Sequence, residues 1–194
     1  ACIDRYTFIR PGITAGSVYT ILDIGEAVQH PDNGHLMGNA VRVAGICSVT
    51  GVTDQSCIAV IEHAYLPVKV GQYVIPYQPM APVNVASTNV ADGLDAWVLA
   101  FQDPDLARAY SFDVIYIDKG SQDGLQTGDI FNMYNYGFFA ESPSGRTVRT
   151  PDLPVSELLI IDVTSETAAA MIFTCESSDL IDIGDRIELV SKQI

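Results

Sequence analysis

Apolar residues along this chain fall in short runs, many alternating with polar ones, and the runs stop at Gly, Pro, Asn and Asp. A period of two over four to eight residues is the signature of a half-buried strand. "FDVIYID" (112–118), "ELLIIDVT" (157–164), "AAAMIFTCE" (168–176) and "CIAVIEH" (57–63) all show it. They are rich in the β-branched and aromatic residues that suit a pleated surface. "ETAAAMIF" holds good helix formers, yet its repeat partner "DQSCIAVIE" reads as a strand, so both are predicted as strands. One short helix is expected, over Asp103–Ser111, with Asp103 as its cap before Pro104.

One phrase occurs four times: "TAGSVYTIL" (14–22), "KVGQYVIPY" (69–77), "QTGDIFNMY" (126–134) and "DIGDRIELV" (182–190). Its glycine allows a turn with positive φ. The Asp, Ser or Gln that follows can satisfy amides of that turn, and the apolar residues beyond it re-enter a sheet. The matches around the phrase are colinear. Gly12–Gly34 aligns with Gly124–Gly145, and Val43–Tyr77 with Leu158–Val190, which sets Glu62 on Glu176 and Gly71 on Gly184. A colinear series of this kind points to an internal duplication.

The phrase resembles the GD box of cradle-loop barrels, where it joins strands across a pseudo-two-fold axis. The expected fold class is therefore all-β, with two tandem small β-barrel-like domains. The first is expected over residues 3–80 and the second over 93–194. Between them "QPMAPVNVASTNVADG" suggests a linker at 81–92.

Charge narrows the function. A formal net charge of −14, with ten basic residues among twenty-four acids, leaves no basic face to neutralise phosphates, so no nucleic-acid partner is expected. No apolar run approaches the ~20 residues of a membrane span, so no transmembrane segment is expected in this chain. Cys47 and Cys57 flank a predicted hairpin loop and read as roughly opposite each other. They are either a candidate disulfide or two buried thiols. Neither they nor Cys2 and Cys175 pair with histidine at metal spacing, and no metal or cofactor is expected.

Candidate chemistry is sparse. "HPDNGH" puts His30 and His35 on one turn, where a metal site competes with two exposed loop histidines. His63 is expected at the surface. Asp118, Asp123 and Asp129 cluster in sequence and suit either carboxylate chemistry or, better, the capping of turns. No nucleophile elbow or triad signature occurs, so the chain is expected not to be an enzyme. Tyr134, Tyr136, Phe138 and Phe139 form the candidate interaction patch, with Trp97 and Tyr110 as further aromatics for a sugar surface.

"VIYIDKGSQDGLQTGDIFNMY" through "DLIDIGDRIELV" resembles the C-terminal region of bacterial LysM-bearing envelope proteins, and residues 6–77 look like the preceding repeat of that region. A looser similarity runs to the C-terminal barrel of the flagellar assembly protein T. The resemblance implies a periplasmic or outer-membrane-associated, non-enzymatic module with an envelope protein as partner. Peptidoglycan is the alternative partner, and a carboxylate-dependent hydrolase is the third reading.

Overall fold

The computed structural model describes residues 13–53, 56–79, 82–85, 88–90, 93–135, 137, 139–141, 145–175 and 180–192. Among them there is no α-helix; the elements are thirteen strands and one 3-10 turn, Ser121–Asp123. The strands are β1 Val18–Gln29, β2 Leu36–Val52, β3 Cys57–Ala64, β4 Tyr73–Pro76 and β5 Thr88–Asn89, then β6 Asp95–Phe101, β7 Val114–Ile117 and β8 Ile130–Asn135. They continue with β9 Phe139–Glu141, β10 Thr147–Arg149, β11 Leu153–Val163, β12 Ala168–Cys175 and β13 Arg186–Lys192.

The chain divides into two compact units. One comprises the described residues of 1–27 and 39–81, the other those of 28–38 and 82–194. The turn between β1 and β2 therefore groups with the second unit. In the first unit a sheet runs β3-β2-β1-β4, and Ile21, Cys47, Val49, Cys57 and Ala59 line its buried face.

In the second unit six antiparallel strands close on themselves, β13-β6-β7-β12-β11-β8 and back to β13. Closure removes the exposed edges that an open sheet would carry. Alternation along each strand sends Ile115 and Ile117, Phe131 and Met133, and Leu158 and Ile160 inward to one core. Within the stretch expected as a linker, Thr88–Asn89 pairs with the end of β13 and Val90 packs on that core.

Hairpins β2–β3 and β11–β12 share their irregularities. Both ladders shift register twice, at Ile46/Cys47 and Val49/Gly51 in one and at Glu157/Leu158 and Ile160/Asp162 in the other. Their loops match as well. The Thr53 Oγ1 donates to the Ser56 carbonyl and accepts the Ser56 amide; Thr164 does the same with Thr167.

Three local expectations are corrected. Residues 103–111 form no helix. The Asp103 carboxylate accepts the Asp105 amide, as a cap would, but the chain then runs through turns and bends, and Ala109 is drawn into a bridge with Ile181. Cys47 lies opposite Ile61 and Cys57 opposite Val52, so the two are not a directly opposed cross-strand pair; both thiols are free and buried. The register also makes Phe173 the counterpart of Glu62, since each is the residue skipped at the first shift. Glu176 lies outside the described residues.

Candidate functional site

The recurring phrase folds into one kind of turn at all four places. Gly16, Gly71, Gly128 and Gly184 have φ of 90°, 95°, 99° and 95°. The side chain after each glycine accepts the amide three residues back: Ser17 from Thr14, Gln72 from Lys69, Asp129 from Gln126 and Asp185 from Asp182. Three of the glycines also join a facing strand. The amides of Gly16, Gly128 and Gly184 donate to the carbonyls of Val49, Ile160 and Val98, and those residues return a bond to the carbonyl after the glycine.

Gln72 shows why a longer side chain stands in one copy. Its Oε1 caps Lys69 while its Nε2 donates to Asp23 at 3.0 Å. That bond, followed by the contact with Arg42 at 2.6 Å, holds the Asp23 carboxyl below its ordinary value. Asp185 moves the opposite way. Burial pushes its carboxyl up, and the Asp182 amide only partly pulls it back.

A fifth turn of this kind is present that the repeated glycine did not reveal. The Asp113 carboxylate accepts the Tyr110 amide at 2.8 Å, and the Asp113 amide donates to the Tyr110 carbonyl. The Phe112 amide donates to the carbonyl of Ile172, whose own amide donates to the Asp113 carbonyl. Phe112 thus stands where the others have glycine, with φ of 73°, and it is the one non-glycine residue of positive φ among those described. A left-handed conformation costs an L-residue about 1–2 kcal/mol. The sequence signal is "YSFD" before β-branched "VIYI", which parallels "QTGD" before "IFNMY".

The acids expected to cluster have separate clients. Asp123 accepts the Gly120 amide and Asp129, fully buried, the Gln126 amide. Asp118 accepts the Trp97 amide at 2.6 Å, Lys119 Nζ at 2.8 Å and His30 Nε2 at 3.3 Å. His30 is buried, which corrects the reading of two exposed loop histidines; His35 and His63 are exposed. The His30 Nδ1 accepts the Asp32 amide at 3.1 Å, so Nε2 carries the proton that goes to Asp118. With both ring nitrogens engaged, no lone pair is left to take a nucleophile's proton, and the pair fixes a turn instead. Trp97 is similarly committed, with His30 edge-on at 6.1 Å and the Arg186 guanidinium 4.9 Å from its ring centre. No group of three or more metal-ligating side chains is found among the described residues.

Of the expected patch, Tyr136 and Phe138 lie outside the described residues. Tyr134 is half-buried on β8 opposite Pro154, whereas Phe139 is 75% exposed on β9 opposite Arg149. The β9–β10 arm is pinned at its base. Asp152 accepts the Gly137 amide and both bonds of the Arg149 guanidinium, and a Cβ at Gly137 would collide with the Thr150 carbonyl. The Cys47 thiol is pushed up by burial, then by the neighbouring Cys57, as for an unreactive core thiol.

No family model matches the chain, and no curated protein matches it. No helix among the described residues is long and apolar enough to cross a membrane.

Proposed function

We propose that this chain is a non-enzymatic interaction module of the cell envelope, built from two duplicated barrels of the cradle-loop kind. The duplication is supported by the shared turn geometry around Gly16, Gly71, Gly128 and Gly184 and by the matching shifts of β2–β3 and β11–β12. The four phrases are then GD boxes, two to each unit. The envelope setting rests on the resemblance to LysM-bearing proteins and places the module in the periplasm or at the outer membrane.

One observation carries the non-enzymatic reading. The groups that could do acid–base work, His30, Asp118, Asp123 and Asp129, hold backbone amides or one another, while large aromatic rings such as Phe139 stand in solvent. Exposed rings of this size mark interaction surfaces more readily than catalytic ones. The partner is a protein of the envelope; direct binding of peptidoglycan is the alternative, favoured by aromatic stacking surfaces on the arm.

Co-sedimentation with isolated peptidoglycan sacculi at low and moderate salt separates them. The chain is expected to stay in the supernatant and to recover an envelope protein whose capture falls on Phe139→Ala. Pelleting with sacculi, lost on the same substitution, would transfer the conclusion to glycan binding.

A further inference from the structure

We infer that Tyr110, Phe112 and Phe173 form a platform that docks an Arg- or Lys-rich segment of a partner protein. Two independent irregularities of the backbone turn aromatic rings outward here. The first is the left-handed Phe112, in a turn whose four sister copies use glycine. Its ring is 71% exposed, so burial does not offset the strain. The second is Phe173, the residue skipped at the register shift between β11 and β12 and 51% exposed. A bulge of this kind re-aims a side chain. The matching bulge in β2–β3 carries Glu62, so the bulge itself does not require an aromatic.

The two rings belong to neighbouring backbone. The Phe112 amide is bonded to the carbonyl of Ile172, the residue before Phe173. Tyr110, 52% exposed, opens the same turn. Strain and a bulge are thus both kept where neighbouring stretches of backbone leave aromatic residues exposed, which is the pattern of a functional rather than a packing constraint.

The charge around the rings selects the partner. Segments 103–113 and 180–185 carry Asp103, Asp105, Asp113, Asp182 and Asp185, with Arg108 as their sole basic residue. Arg108 is tied to Asp182 at 3.0 Å. A cation is attracted by the faces of aromatic rings and by these carboxylates, while the chain's net −14 steers basic segments toward it and turns acidic ones away. The inference rests on the protein-binding reading and names the chemistry of its partner.

The test is an amide NMR titration of the full chain with a synthetic Arg–Gly peptide, its Glu–Gly counterpart and a chitin oligosaccharide. The Arg peptide is expected to move the amides of 109–113, 172–175 and 181–183, with affinity falling as salt rises. Phe112→Gly is expected to weaken that binding about tenfold, a loss on the scale of an interface hot spot. The same variant should melt no lower than the parent, because glycine relieves the left-handed strain. Phe173→Ala should weaken binding as well. Unchanged affinity in Phe112→Gly, shifts confined to other residues, no binding of the Arg peptide, or binding of the oligosaccharide at these amides would each overturn the proposal. If Phe112→Gly retains an envelope partner that Phe139→Ala loses, this platform fails while the broader protein-binding reading stands.

Discussion

Hairpins β2–β3 and β11–β12 show one backbone pattern in two settings. Each has two register shifts at matching places and a loop closed by one threonine hydroxyl. The first stands at one end of a four-stranded sheet, and the second lies inside a closed barrel. Where their sequences part, the setting explains it. Inward positions stay apolar in both, with Cys47, Val49, Cys57 and Ala59 matched by Leu158, Ile160, Ala168 and Ala170, the larger pair filling the barrel core. The bulge residue, free of the core, differs completely: Glu62 in one and Phe173 in the other. Backbone geometry is thus shared while the outward side chain is free to specialise.

The largest expected effect separates the two cores. Phe131→Ala in the closed barrel should cost about 3–5 kcal/mol, read by urea unfolding, and it should abolish slow amide exchange on β8, β11 and β12. If exchange on β2 and β3 collapses equally, the units unfold as one and the comparison between them loses its meaning. Next comes the tie at Asp118. Asp118→Ala leaves the Trp97 amide and the His30 Nε2–H without their acceptor and should cost about 1–3 kcal/mol, with broadened amide signals at residues 30–35. Asp118→Asn retains an acceptor and should recover part of the loss.

The turns themselves give a graded comparison. Asp129 is fully buried and ionisable, whereas the Ser17 hydroxyl sits in an exposed bond of 3.4 Å. Asp129→Ala should cost about 1.5–3 kcal/mol, and Ser17→Ala should stay within about 0.5 kcal/mol; equal losses would mean that the cap does not set the difference. Asp185→Asn is expected to be neutral or stabilising at neutral pH. The raised carboxyl means that the native state binds a proton more readily than the unfolded chain. Its favourable contribution is therefore complete below the unfolded value of 3.8 and lost as pH rises through the folded one. An amide keeps an acceptor for the Asp182 amide without burying a charge. The gain should vanish when the two proteins are compared in acid. Smallest of all is Ser156→Ala. The buried Ser156 hydroxyl has no hydrogen-bond partner among the described residues, and its removal should leave the melting temperature unchanged or slightly higher.

Strands were the most legible part of the chain, since period two and β-branched residues depend only on neighbours. β7, β11 and β12 lie where "FDVIYID", "ELLIIDVT" and "AAAMIFTCE" placed them. The four glycine turns were legible for the same reason, because glycine marks positive φ directly. The turn at Phe112 was not, because a bulky residue hides the conformation that glycine advertises. The helix expected over 103–111 failed for a non-local reason, the bridge from Ala109 to Ile181. His30 was missed likewise, since Asp118 lies 88 residues away along the chain. Turn capping by Asp123 and Asp129 was anticipated; that Asp118 serves a tryptophan amide and a histidine was not visible in spacing alone.

Strand β13 has β8 along one side and β6 along the other, and its last residues, Ser191 and Lys192, pair directly with β5. It is also the last barrel strand to be synthesised. As the chain folds, the edges of β6 and β8 that face β13 therefore stay unpaired until it docks. The hairpin β11–β12 can form early from local pairing, but the barrel becomes a barrel only when residues 186–192 arrive. Until then two strand edges stand open to any neighbouring unfolded chain, and a holding chaperone would find its natural client in that interval.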